Sequence, residues 1–177
     1  MNLTNNILKF YKTSSKKESI ETIDENRFIS LIEDNKVALY RLAKSIVKDD
    51  FEVEDIISET ILKAYGNLHK LKSAASFKPW LMKILVNECY STIRKSSRIE
   101  LKEDMEALNL RYEDNTEGYL ISLISNMDED SRVILTLFYY EDMTIKDIGK
   151  VLNISQGTVK SRLSRAKAKL KTILENQ

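Results

Sequence analysis

Residues 144–170 read TIKDIGKVLNISQGTVKSRLSRAKAKL, and their pattern decides the fold class. Thr144 stands where a helix cap is needed, and Asp147 follows three residues later, a capping-box arrangement that predicts a helix start. Ile148 and Leu152 face inward at helical spacing, and Gly149 is small where two helices must cross closely. Asn153 tolerates a left-handed turn, Ile154 plugs the corner, and Ser155 caps the next helix. A turn this short between two helices is the helix-turn-helix layout, whose second helix enters the DNA major groove.

The helical wheel of that second helix separates two faces. Leu163, Ala166 and Leu170 fall within roughly 40° of Val159 and form with it the stripe expected to be buried. The opposite side carries Ser161, Ser164, Arg165 and Ala168, flanked by Lys160, Arg162 and Lys169. Small residues at its centre allow close approach to base edges. Arg165 and Lys160 can donate to guanine or phosphate, and Ser161 can reach either. Arg162 and Lys167 sit nearer the edge, a phosphate-binding position. The plain alternative is an amphipathic helix with a solvated basic face.

With 177 residues the chain can form one domain or two small ones, and with 4 Gly and 1 Pro it lacks the turns of a many-stranded sheet, so an all-α fold is expected. The net charge is +1, yet it is unevenly placed. Residues 60–98 hold eight Lys/Arg against one acid, and residues 143–177 hold eight against two. Residues 100–142 between them hold twelve acids and three basic residues. Two basic blocks around an acidic one suggest two phosphate-facing surfaces, although solvated helix faces would look the same. No apolar run is long enough to cross a bilayer and no secretory leader is legible, so membrane insertion is not expected and the cytoplasm is. One cysteine, Cys89, and one histidine, His69, argue against a disulfide or a zinc site, and neither a metal nor another cofactor is expected.

Upstream, three helices are expected. The first begins near Arg27, with Phe28, Leu31, Ile32, Leu39, Leu42, Ala43, Ile46 and Val47 at helical spacing. After a turn at Asp49-Asp50 the second covers about 52–68, with Val53, Ile56, Ile57, Thr60, Ile61, Ala64 and Leu68 inward. The third covers about 76–95, started by Ser73 or Ser76, with Pro79 in its first turn. It carries a polar stripe of Lys83, Asn87, Tyr90 and Arg94. Three of these can hydrogen-bond bases or phosphates, and Tyr90 can stack on an unpaired base, the composition needed to hold a melted strand. Trp80 and Cys89 fall on apolar arcs and are expected to pack. Asp49, Asp50, Glu52, Glu54, Asp55 and Glu59 make an acidic patch suited to a basic partner, or acids that simply favour a helix N-terminus. Density of apolar residues falls between 97 and 116, so a linker is placed there. A second helical set then opens with Tyr119, Leu120, Leu123 and Ile124.

Several runs resemble the extracytoplasmic-function (ECF) sigma factors of the sigma-70 family. Gly157-Thr158-Val159-Lys160-Ser161-Arg162-Leu163 followed by Arg165-Ala166-Lys167 resembles region 4, as does the preceding Phe138-Tyr139-Tyr140-Glu141-Asp142-Met143-Thr144. Gly149 and Asn153 depart from the usual Ala and Gly. Glu54-Asp55-Ile56-Ile57-Ser58-Glu59-Thr60 resembles region 2.2, with Ser58 at a usual Gln. Trp80-Leu81-Met82-Lys83-Ile84-Leu85-Val86-Asn87 with Ile93-Arg94-Lys95 resembles regions 2.3 and 2.4, with Ser91 at a common Asp.

The resemblance implies two small helical domains: region 2 at 26–96 and region 4 at 117–177, after a polar extension at 1–25 and around a flexible acidic linker at 97–116. It implies a promoter-directing subunit of RNA polymerase that catalyses nothing itself and serves a stress or envelope response. The −35 element would be read by Thr158, Lys160, Ser161, Arg162, Ser164 and Arg165, and the melted −10 strand by Lys83, Asn87, Tyr90 and Arg94. Glu54, Asp55, Ser58 and Glu59 would bind the clamp helices of the polymerase's largest subunit, and region 4 the flap of the second-largest. An anti-sigma factor is a further implied partner. A dimeric activator would need a receiver or ligand pocket and a dimerisation face, and a nucleic-acid hydrolase would need convergent carboxylates or a metal set. Neither is legible.

Overall fold

Asp24 opens the first helix: its carboxylate accepts the Arg27 amide at 2.7 Å, and α1 runs Glu25–Ile46. The structure, a computed structural model, describes residues 23–71, 73–99 and 123–176, with the backbone alone at 96–99. Along α1 Phe28, Ile32, Leu39, Leu42, Ala43 and Ile46 are buried, as their spacing predicts. Asp49 accepts the Glu52 amide at 2.9 Å, so α2 (Asp50–Gly66) begins earlier than its apolar residues alone suggest. Val53, Ile56, Thr60, Ile61 and Ala64 of α2 are buried, whereas Ile57 and Leu68 are only partly so.

Two 3₁₀ turns, Leu68–Lys70 and Ala74–Ser76, lead into α3 (Phe77–Ile99). The Ser73 hydroxyl accepts the Ala75 amide at 3.3 Å, making Ser73 the cap of the second turn. Pro79 sits in the first turn of α3, where no amide partner is missing. The helix runs past the expected end near Lys95, so 97–99 continue it, and the rest of the expected linker lies outside the described residues. An aromatic cluster locks the three helices together: Phe28 meets Tyr65 at 5.4 Å and Phe77 at 6.0 Å, edge to face, and Trp80 lies 5.9 Å from Phe77. Such pairs add roughly 0.5–1.5 kcal/mol each beyond area burial. Trp80 thus packs on the core. Cys89 is fully buried, and burial pushes its thiol up to about 12, which keeps it neutral and unreactive.

In the C-terminal half, Leu123, Ile124 and Met127 are buried before Asp128, whose carboxylate accepts the Ser131 amide at 3.1 Å to cap α4 (Glu129–Leu135). Tyr119 and Leu120 lie outside the described residues. The chain widens into a π turn, Thr136–Tyr140, and leaves it through Asp142 at φ 50°. Residues 144–170 then fold as their pattern predicts. Thr144 accepts the Asp147 amide at 3.1 Å, α5 covers Ile145–Leu152, and Asn153 adopts φ 55°, ψ 44°. A Cβ on Gly149 would stand 2.9 Å from the Ile154 carbonyl oxygen, which is why a glycine sits at this crossing. Val151, rather than Leu152, is the residue buried beside Ile148. The last helix, α6 (Gln156–Glu175), buries Val159, Leu163, Ala166 and Leu170, the stripe read from the wheel.

The two halves also pack on each other. α1 touches α4 and the π turn, and α3 touches α5, so the buried side chains of both halves form one connected core.

Candidate nucleic-acid interfaces

The exposed face of α6 is the first candidate. Lys160, Ser161, Ser164 and Arg165 are exposed, and the small serines leave the middle of the helix open to close approach. Arg165 Nε rests on its own helix, 3.4 Å from the Ser161 carbonyl. The remaining sequence-predicted contacts are engaged inside the fold. Thr158 donates its amide to Ser155 Oγ at 3.1 Å, and the two hydroxyls meet at 2.9 Å, so this half-buried residue closes the helix cap. Arg162 pairs with Asp130 at 2.8 Å and Lys169 with Asp128 at 2.6 Å. Lys167 lies 4.3 Å from the Phe138 ring centroid and 5.3 Å from that of Tyr139, a cation–π site rather than a free edge charge. The Lys169 ammonium, with help from the Ser131 hydroxyl and amide, holds the Asp128 carboxyl down at about 2. Asp128, Asp130, Ser131, Arg162, Arg165 and Lys169 line a shallow open cleft beside this face.

The polar stripe of α3 is the second candidate. Lys83, Asn87 and Arg94 are exposed on one side of the helix. Tyr90 is not: it is half-buried, with the charge of Glu129 at the start of α4 acting on its hydroxyl. Burial first, and then the charge of Glu129, push its phenol upward. Tyr90 is therefore only partly presented for stacking, with the acids at the start of α4 beside it. Periodicity places a side chain outward but cannot see what stands beside it.

The acidic patch divides into two kinds of residue. Asp49 caps α2; Asp50 pairs with the buried Lys44 at 2.7 Å and accepts the Tyr40 hydroxyl at 2.9 Å, which together hold its carboxyl below the usual range. Glu59 pairs with Lys63 at 3.3 Å, and Lys63 reaches across to Glu88 on α3 at 2.6 Å. Glu54 and Asp55 remain on the exposed surface, and Ser58 is half-buried beside them. Composition missed what stands next to these acids. Phe51 is 83% exposed, with Val37 and Tyr40 also exposed nearby on α1. The legible signal is that Phe51 falls outside the inward spacing of α2 while flanked by Asp50 and Glu52. Among the described residues no group of His, Cys, Asp and Glu could hold a metal ion, and no helix is long and apolar enough to cross a membrane.

Comparison with known proteins agrees with this layout. Residues 31–99 match the family described as Sigma-70 region 2, and residues 117–170 match Sigma-70, region 4. The chain is 30% identical over 141 residues to the RNA polymerase sigma factor SigV of Bacillus subtilis, covering 78% of this chain and 85% of that protein. It is 27% identical over 170 residues to the ECF RNA polymerase sigma-E factor of Haemophilus influenzae, covering 85% and 88%. The sigma factor RpoE of Bartonella quintana, solved in complex with the anti-sigma factor NepR, superposes with a TM-score of 0.70 at 25% identity, covering 84% of this chain and 96% of that one. CnrH, solved with the cytosolic domain of CnrY, shares the fold with a TM-score of 0.63 at 21% identity, covering 99% and 96%.

Proposed function

The chain belongs to the extracytoplasmic-function branch of the sigma-70 family, non-enzymatic factors that direct RNA polymerase to promoters, and from that membership we propose how its surfaces divide the work. Glu54, Asp55, Ser58 and Glu59 dock on the clamp helices of the polymerase's largest subunit, with Phe51 as the apolar anchor of the same surface. Region 4, at 117–177, contacts the flap of the second-largest subunit and reads the −35 element through Thr158, Lys160, Ser161, Arg162, Ser164 and Arg165. Region 2, at 26–96, captures the melted −10 strand through Lys83, Asn87, Tyr90 and Arg94. Core polymerase aligns the two reading surfaces, and trapping of unstacked bases supplies the melting energy without ATP hydrolysis. The working compartment is the cytoplasm, where polymerase and promoter DNA meet, and an anti-sigma factor masks the surfaces until a signal releases them.

The observation that carries this reading is the face of α6: exposed Lys160, Ser161, Ser164 and Arg165 on a capped helix whose opposite stripe is buried. Run-off transcription with core polymerase tests it. Arg165→Ala is expected to lower initiation about tenfold on promoters that depend on the −35 element, the size of one lost bidentate base contact. Asn87→Ala is expected to slow open-complex formation with core binding intact. Normal transcription by both variants would show that the reading surfaces lie elsewhere.

A further inference from the structure

Three cations form a seam along one flank of α6. Arg162, Arg165 and Lys169 follow one another at helical spacing, so they leave the helix on one side and span about 10 Å of its axis. One strand of duplex DNA presents a phosphate about every 3.4 Å of axis, so a seam of this length can lie against several at once. Left open, it would hold DNA of any sequence, because phosphates carry no base information.

The first and last cations of the seam are already taken. Arg162 Nη1 meets Asp130 Oδ1 at 2.8 Å, and Lys169 Nζ meets Asp128 Oδ2 at 2.6 Å, both between α6 and the start of α4. Arg165, in the middle, rests instead on the Ser161 carbonyl of its own helix. The three cations and both acids line one open cleft. Acids at a helix start ordinarily serve the cap or the helix dipole. Capping accounts for the Ser131 amide on Asp128 Oδ1 at 3.1 Å. It does not account for Oδ2 turning to Lys169, or for Asp130 reaching across to Arg162 from inside the first turn. The Ser131 hydroxyl donates to Asp128 Oδ2 at 2.8 Å, so this carboxylate is held in place independently of Lys169. A phosphate that approaches either outer cation must displace a carboxylate and then sit beside its charge. Of the three, only Arg165 can be reached without that exchange.

We propose that Asp128 and Asp130 are internal phosphate competitors that withhold Lys169 and Arg162 from DNA of arbitrary sequence, so that binding depends on Lys160, Ser161 and Arg165 at the middle of the face. This role rests on α6 being the DNA-reading helix, as proposed above. Arg162 then joins promoter DNA by exchanging Asp130 for a phosphate, a step favoured once polymerase holds the promoter close to the helix.

Fluorescence anisotropy of the full chain with a labelled duplex of arbitrary sequence, between about 0.05 and about 0.2 M salt, tests this role. Asp128→Asn/Asp130→Asn keeps a side chain able to cap α4 and should bind that duplex about tenfold tighter than wild type. Its plot of log affinity against log salt should steepen by about 1.8, or about 0.9 for each cation released. Adding Arg162→Gln and Lys169→Gln should cancel both changes. Asp34→Asn, which removes an exposed carboxylate from α1, should leave affinity and slope as in wild type. A gain that survives the loss of Arg162 and Lys169, or that Asp34→Asn reproduces, would overturn the competition by making it an effect of net charge. Arg165→Ala separates this role from the reading of α6. If it weakens binding while the double acid variant, with native circular dichroism, matches wild type, the competition alone is lost. If neither change alters DNA binding, α6 is not the helix that meets DNA and both readings fall.

Discussion

Two helices of this protein carry a polar stripe of similar composition, α3 and α6, and the structure treats them differently. The stripe on α6 faces water along its centre, and only its edges are tied down, by Asp128 and Asp130 of the neighbouring helix. The stripe on α3 is exposed at Lys83, Asn87 and Arg94 but half-buried at Tyr90, where the charge of Glu129 from the other half acts on the phenol. The acids at the start of α4 therefore reach both surfaces. Asp128 and Asp130 take cations of α6, and the charge of Glu129 raises the phenol of Tyr90 on α3. A helix that works within its own domain stays readable from its wheel, whereas one that faces a second domain depends on where that domain sits.

The comparison can be broken most severely at the α5–α6 crossing. Gly149→Val places a branched side chain against the Ile154 carbonyl, already 2.9 Å from where a Cβ would lie. Overpacking of this kind costs about 3 kcal/mol, and for a chain of this size the Tm should fall by roughly 6–12 °C. Differential scanning calorimetry measures it, and an unchanged Tm would mean that the glycine answers no steric demand. Region 4 should lose its reading surface with it, while the aromatic cluster of region 2 keeps α1–α3 together.

A second change sharpens the contrast between surface and core. Phe51→Ala removes the most exposed large apolar side chain, at 83%, so stability should move by no more than about 0.5 kcal/mol. Affinity for core polymerase should fall about tenfold, the loss expected of an aromatic interface anchor. Surface plasmon resonance with core enzyme reads that number, and an unaltered Kd would return Phe51 to the scattered apolar residues that any surface shows.

The smallest effect concerns the acids that serve both helices. Asp128 is held at about 2, below its ordinary 3.8, chiefly by Lys169. A depressed carboxylate contributes stability above its unfolded value, and that contribution is lost as pH falls from about 4 towards about 2. Asp128→Asn keeps a side chain that can cap α4 but carries no charge. Its denaturation midpoint should lie close to wild type at neutral pH and fall less steeply between about pH 4 and about pH 2. Parallel acid limbs in the two proteins would show that the Lys169 contact contributes nothing. With the side chain 46% exposed, the difference should be a small one, screened by salt.

Much of the fold was legible because its determinants are short-range. The caps at Thr144 and Ser155, the left-handed Asn153 and the buried stripe of α6 each involve residues within a few positions of one another. Pattern reading therefore found both the helix-turn-helix and its outward face. Boundaries were missed where a cap outweighed apolar spacing, as Asp49 did for α2. Within the acidic patch Asp49, Asp50 and Glu59 also serve local caps and pairs, which charge composition alone does not show.

What the amino-acid order determined by itself is the set of helices, their capped ends and the side of each that must leave water, since propensity, capping and periodicity act within one or two turns. Only the tertiary structure decided which outward groups remain available. Glu141 reads as one acid among twelve in its stretch, yet it is buried between Arg41 and Lys78. Tyr90 reads as a free aromatic on a polar stripe, yet it is half-buried beside the charge of Glu129. Both outcomes follow from contacts between residues tens of positions apart, whose electrostatics depend on the docking of two domains and leave no periodic trace in either helix.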